Sequence, residues 1–280
     1  MPVLPVTPPT NSLAPYDLVN DVLNTARVRL NDALENTYPT SGKLLDNNQF
    51  FTLQATNQAW RNLQEFLANQ GFTRLRREVI LQGIPPVATT DPAAQVSLSW
   101  TGYFNGVQTL GPESDPPAPL LPADLILPLL LWERASGFNA EFRPPMILFI
   151  DGLPNPPKVG CNRIWEWRED AVFMPGATMT LDIRVRYAAY LPDFVNEDGF
   201  GVQWYQQQVP IMRCQSALAW YLVAEIVNGR TDIQIDPQIF ISRAESDAKK
   251  IYNREAILKQ RANVRRQPRS GRAHAGYDFL

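Results

Sequence analysis

The sequence predicts an α+β protein, a helical bundle interrupted by a mainly antiparallel β insertion domain, with extended N- and C-terminal arms. Apolar residues recur at helical spacing between Pro15 and Asn69 and again after Val209. Between those stretches the period drops to two, in short runs separated by Gly- and Pro-centred turns. Both ends lack the means to build a core: Met1–Ala14 is proline-rich, and the last residues mix Arg with Pro and Gly. The expected division is an arm over 1–14, a first helical part over 15–71, a β insertion over 72–205, a second helical part over 206–262 and a basic arm over 263–280.

Helix one is expected from Pro15, whose missing N–H costs nothing in a first turn, to about Asn36, with Leu18, Val22, Ala26, Leu30 and Ala33 as its stripe. Helix two covers Asn48 to Asn69, with Phe51, Ala55, Ala59, Leu63, Phe66 and Leu67 on one side and Gly71 as the residue just past its end. Two such helices cannot bury their stripes alone. The apolar stretch Val209 to Asn228, closed by Gly229, is the expected third member. A polar helix from Pro237 to Arg261 follows.

In the insertion, Arg77–Leu81 reads as a strand, and Val96, Leu98 and Trp100 alternate with serines ahead of an Asn105-Gly106 hairpin turn. Ala123 to Gly137 is expected to be a short helix. Met146–Ile150 reads as a strand into an Asp151-Gly152 turn, and Ile164–Arg168 as another, with a turn at Pro175-Gly176. Leu181, Ile183, Val185 and Tyr187 alternate with Asp182, Arg184 and Arg186, the clearest strand signal in the chain. Irregular loops are expected from Leu191 to Gln203.

Composition narrows the function. Two cysteines, Cys161 and Cys214, do not make a disulfide framework, and Cys214 on an apolar face reads as a buried thiol. No leader is expected in Met1–Pro9, and the longest apolar run, Leu120–Trp132, is too short to span a bilayer. A soluble protein, with no membrane partner, is the expectation. The one histidine, His274, sits in the terminal arm, where no rigid pocket holds it as a base. No Cys/His ligand spacing, P-loop or dinucleotide fingerprint appears, so no metal, no cofactor and no catalytic residue is expected. Glu166, Glu169 and Asp170 beside Trp165 and Trp167 resemble the paired acids of sugar chemistry. The alternation places Glu166 with Arg168 opposite both tryptophans, the arrangement of an ordinary strand with one polar face. Trp100, Trp132, Trp165 and Trp167 are expected in the core or at a subunit contact, while Trp204 and Tyr205 read as an exposed contact.

Charge is distributed unevenly. Nine Lys or Arg and one acid, Glu255, lie between Lys249 and Arg272, whereas residues 1–248 hold 17 Lys or Arg against 26 Asp or Glu. A cationic segment therefore follows an acidic body. Such a segment neutralises phosphates or enters an acidic groove of a partner protein. The ending Tyr277-Asp-Phe-Leu280 adds apolar anchors that an electrostatic tail does not need, which favours docking.

The run Leu121-Pro-Ala-Asp-Leu-Ile-Leu-Pro-Leu-Leu-Leu-Trp-Glu-Arg134, with Pro145-Met146, Asp151-Gly-Leu-Pro154 and Trp165-Glu-Trp-Arg168, resembles virion proteins of tailed bacteriophages. With helices flanking a β insertion and a cationic C-terminal arm, the chain is similar to head–tail connector (adaptor) proteins. The resemblance implies a homo-oligomeric ring, usually of twelve subunits, in the virion neck between capsid and tail. It implies the phage portal protein and a tail or nozzle protein as partners, with transient passage of double-stranded DNA through the ring. Carried onto this chain, it places portal docking in Arg265, Arg266, Arg269, Arg272, Tyr277, Phe279 and Leu280. The β insertion is larger than a minimal adaptor needs. Two other functions fit parts of the sequence: a nucleic-acid-binding virion protein using the basic arm directly, and a carbohydrate-binding β module of a tail structure.

Overall fold

A computed structural model describes residues 16–30, 49–84, 95–98, 120–137, 141–149, 164–168, 170–175, 179–197, 201–229 and 235–266. The chain divides into two compact units, Met1–Phe72 with Pro192–Leu280, and Thr73–Leu191. The first holds the helices and the second the sheets, an α+β fold.

The helical unit is built from α1 (Val19–Arg29), α2 (Gln49–Asn69), α3 (Gln215–Asn228) and α4 (Gln238–Arg266). α3 is the most apolar of the four, with Leu218, Leu222, Val223, Ile226 and Val227 all buried, and that makes it the central helix. The other three pack on it with one stripe each: Val19, Val22, Leu23 and Ala26 from α1, Ala59, Trp60, Leu63 and Leu67 from α2, Ala244, Ala248 and Ile251 from α4. α2 ends as its sequence predicts. Gly71 adopts φ +77°, Gly71 N–H donates to Ala68 O (2.8 Å) and Phe72 N–H to Leu67 O (3.0 Å), the paired bonds of a Schellman ending.

Several helix limits differ from expectation. α1 starts at Val19, because Leu18 is extended and its N–H donates to Asp21 Oδ2 (3.3 Å). Pro15 and residues 31–36 lie outside the described residues. α3 starts at Gln215 rather than Val209. Residues 207–209 run beside 17–19 as a short ladder, with Val19 N–H donating to Gln207 O and Val209 N–H to Asp17 O. Arg213 then turns the chain at φ 58°. α4 continues to Arg266, past the expected end at Arg261, because no Gly or Pro interrupts it before Pro268.

The helical unit resumes at Pro192, where Gln206 was expected. α2 holds the returning chain side by side with itself. Trp60 Nε1 donates to Pro192 O (3.2 Å), Arg61 pairs with Asp193, and Asn57 bonds the backbone of Phe194. Trp204, expected as an exposed contact, is buried, and Tyr205 is half-buried.

The β unit contains β1 (Arg76–Ile84), β2 (Gln95–Leu98), β3 (Leu125–Ala135), β4 (Ile147–Phe149), β5 (Ile164–Arg168), β6 (Ala171–Pro175) and β7 (Leu181–Ala189). They form a three-stranded sheet, β1-β7-β3, and a four-stranded sheet, β2-β6-β5-β4; every pairing is antiparallel except β4 with β5. Leu81, Leu131, Ile183 and Val185 from one sheet and Leu98, Trp165, Val172 and Met174 from the other share a single buried cluster. A sandwich is the natural description.

The expected helix at Ala123–Gly137 is instead the strand β3. Its run of apolar residues has no helical period, and Pro128 inside a helix would lose a bond and strike the preceding turn. On the last strand of a sheet a missing N–H is harmless, and the register slips on both sides of Pro128. The neighbouring chain then runs along β3, with Arg143 N–H donating to Glu133 O (2.9 Å) and Met146 N–H to Leu131 O (2.8 Å), before β4 enters the second sheet. β6 was not foreseen as a strand. It pairs antiparallel with β5, Asp170 just before it takes φ 56°, and Pro175, read as a turn residue, is its last residue. Trp100, Asn105-Gly106, Asp151-Gly152, Gly176, Cys161 and Glu169 lie outside the described residues.

Candidate functional site

Of the residues expected to dock a partner, the structure describes the backbone of Arg265 and Arg266. Arg265 and Arg266 belong to the last turn of α4, not to an extended arm. Arg269, Arg272, Tyr277, Phe279 and Leu280, with His274, lie outside the described residues. What the structure does give is the seat from which that segment departs.

α4 begins at an aspartate cap, with Gln238 N–H donating to Asp236 Oδ1 (2.9 Å), an anion placed where the helix dipole favours one. Phe240 stacks on Trp220 of α3, ring centroids 5.9 Å apart and planes 18° from parallel. The Trp220 ring also meets two cations, with Arg29 Cζ 3.9 Å and Arg243 Cζ 5.0 Å from its centroid. One turn further along, Asp247 joins three helices. Ser216 Oγ donates to Asp247 Oδ2 (2.5 Å), Lys250 Nζ to Asp247 Oδ1 (2.5 Å), and Arg29 donates to Ser216 O (2.7 Å) and Ser216 Oγ (2.6 Å).

Charges in this network are held by one another. Burial alone raises the Asp247 carboxyl, but hydrogen bonds from Lys250 and Ser216 and the charges of Lys250 and Arg29 outweigh it, and it sits below its ordinary value. Burial pulls Arg29 down from its ordinary range while Asp247 pushes it back. The Ser216 hydroxyl is committed to Asp247 and receives Arg29, so it has no free base to activate it as a nucleophile. The arrangement positions a helix. The sequence offered only Asp247 and Lys250, three apart on one helix, as a sign of it; Arg29 and Ser216 are too distant in the chain to be paired by any local pattern.

The acid-and-tryptophan cluster of β5 also resolves. Trp165 and Trp167 face the shared core, as the alternation requires. Glu166 and Arg168 share the opposite side, where Arg168 is exposed and Glu166 is not. Glu166 is buried beside Phe173, Arg168 Cζ lies 4.3 Å from the Phe173 ring centroid, and the Arg168–Glu166 separation is 3.8 Å. Cys214 is buried and free, its thiol pushed up first by burial and then by the Asp17 charge, which makes it a poor nucleophile. Among the described residues no group of three or more His, Cys, Asp or Glu is placed to hold a metal, and no helix is long and apolar enough to cross a membrane. Compared with known proteins, the chain matches no family and no curated protein.

Proposed function

We propose that this chain is a structural virion protein of the head–tail adaptor kind. Copies assemble as a ring, of about twelve subunits by the resemblance, that docks on the portal through the C-terminal segment and links capsid to tail around the DNA channel. The observation that carries the reading is α4. It is fixed at its root by Phe240, Asp247 and Ile251 and is 29 residues long, about 43 Å at 1.5 Å per residue. From Lys249 onward it holds most of the chain's concentrated positive charge, and it leads into Arg269, Arg272 and the apolar Tyr277, Phe279 and Leu280. A rigid root with a cationic tip and apolar anchors suits insertion into a partner's acidic groove. The acid excess of residues 1–248 suits a ring through which phosphate must slide without sticking.

Truncation after Ala262 tests this. The expected result is loss of incorporation at the portal with DNA affinity unchanged. Loss of a salt-dependent DNA affinity, with incorporation intact, favours the nucleic-acid-binding alternative and removes this one.

A further inference from the structure

On the outer face of the three-stranded sheet Arg134, Arg184 and Arg186 lie close together, and two of these three are matched by carboxylates. Arg186 lies across from Glu78 in register and pairs with it (2.5 Å). Arg134 lies across from Asp182 and pairs with it (2.9 Å). Arg184 stands between them on β7. Its neighbours in register are Ile80 on β1 and Trp132 on β3, neither of which is an acid. Its guanidinium lies against two rings, Cζ 4.3 Å from the Trp132 centroid and 4.8 Å from that of Phe142. Arg186 and Arg134 flank it over the same two rings, at 4.9 Å and 4.7 Å. Arg184 Nε is buried without a hydrogen-bond partner, and among the described residues no carboxylate pairs with Arg184.

We propose that this face is a docking site for an acidic, extended segment of a partner protein, whose carboxylate pairs with Arg184 and whose apolar side chain covers Ile80. The chemistry follows from the neighbours. At each adjoining position the face satisfies a guanidinium with a carboxylate, and at Arg184 the chain supplies rings and no anion. Contact with the Trp132 and Phe142 rings restrains the guanidinium, which lowers the ordering cost of a bidentate pair. Ile80 stands directly across at 42% exposure, while Trp132 beneath is only 7% exposed. A buried aromatic floor, a central arginine and an adjacent open aliphatic is the composition of a protein-binding hot spot. Nucleic acid is the weaker occupant, because Glu78 and Asp182 neutralise Arg186 and Arg134, the cations on either side of Arg184. The site is independent of the C-terminal segment and of the portal reading.

Fluorescence anisotropy on the full chain tests it, with a labelled peptide of alternating Glu and Leu as probe and a labelled DNA oligonucleotide as comparison. The expected result is peptide binding that weakens about tenfold or more in R184Q and also in I80A. R184K, which keeps the charge and loses the flat fork, falls between wild type and R184Q. I80A alters an exposed side chain and keeps the test valid where R184Q disturbs the sheet. Absence of peptide binding overturns the proposal, as does binding unchanged in either R184Q or I80A. DNA that displaces the peptide in an Arg184-dependent way assigns the face to nucleic acid and also overturns it.

Discussion

Asn57 and Phe194 exchange a pair of hydrogen bonds: Asn57 Nδ2 donates to Phe194 O and Phe194 N–H donates to Asn57 Oδ1, both at 2.9 Å. A side-chain amide here does the work of a neighbouring strand, and it fastens the chain on its return to the helical unit. Asn57→Ala leaves both backbone groups without their partner beside the buried Phe194 ring. The expected loss is about 2–4 kcal/mol, one desolvation penalty for each orphaned group. Asn57→Asp keeps the acceptor and loses the donor, so it should cost about half as much. Urea unfolding with an unchanged slope measures both.

Asp247 and Glu225 should give opposite pH dependences. Asp247 sits below its ordinary value of 3.8 in the folded chain, so its contribution is present above 3.8 and is lost as pH falls below that through its folded value. Glu225 on α3 is raised above 4.5, first by burial and against a hydrogen bond from Asn62, so its charged form is disfavoured in the folded chain. Stability therefore falls as pH rises from 4.5 through the folded value of Glu225. Asp247→Asn should flatten the acid limb and loosen α4. Glu225→Gln, which keeps an acceptor for Asn62, should raise stability at neutral pH. Unfolding curves from pH 3 to 8 decide both signs.

Two helix-ending glycines serve different purposes, and alanine separates them. Gly71 has φ +77°, so Gly71→Ala is strained whatever the space, at about 1–2 kcal/mol. Gly229 has φ −79°, which alanine tolerates, but a Cβ there would stand 3.1 Å from Phe51 Cζ. Gly229→Ala should destabilise the wild-type chain and become neutral or favourable in a Phe51→Leu background, a coupling of about 0.5–3 kcal/mol. Thermal unfolding of the four chains gives that coupling.

Much of the fold was legible where one residue period dominated. β7 alternates cleanly because one face meets the core and the other carries Asp182, Arg184 and Arg186. α3 announces itself by its long apolar run from Ala217 to Ala224. β3 was misread as a helix because apolar runs carry no period, and the telling residue was Pro128. The start of α3 was misplaced because pairing of 207–209 with 17–19 is decided by residues far apart in sequence. For the candidate sites, the basic segment was visible as charge, whereas the seat of α4 joins Arg29, Ser216 and Asp247 from three helices. The Arg184 face depends on register, Ile80 and Trp132 flanking it from separate strands, and register is not written in any one strand.

The central claim is that the chain is a ring subunit assembled on a portal by its C-terminal segment. Native mass measurement of the purified full chain, alone and after mixing with a tailed-phage portal ring, tests it most directly. The predicted result is a monomer alone and a closed ring of about twelve copies on the portal. A chain that stays monomeric beside the portal, or one that binds it equally well when cut after Ala262, contradicts the account.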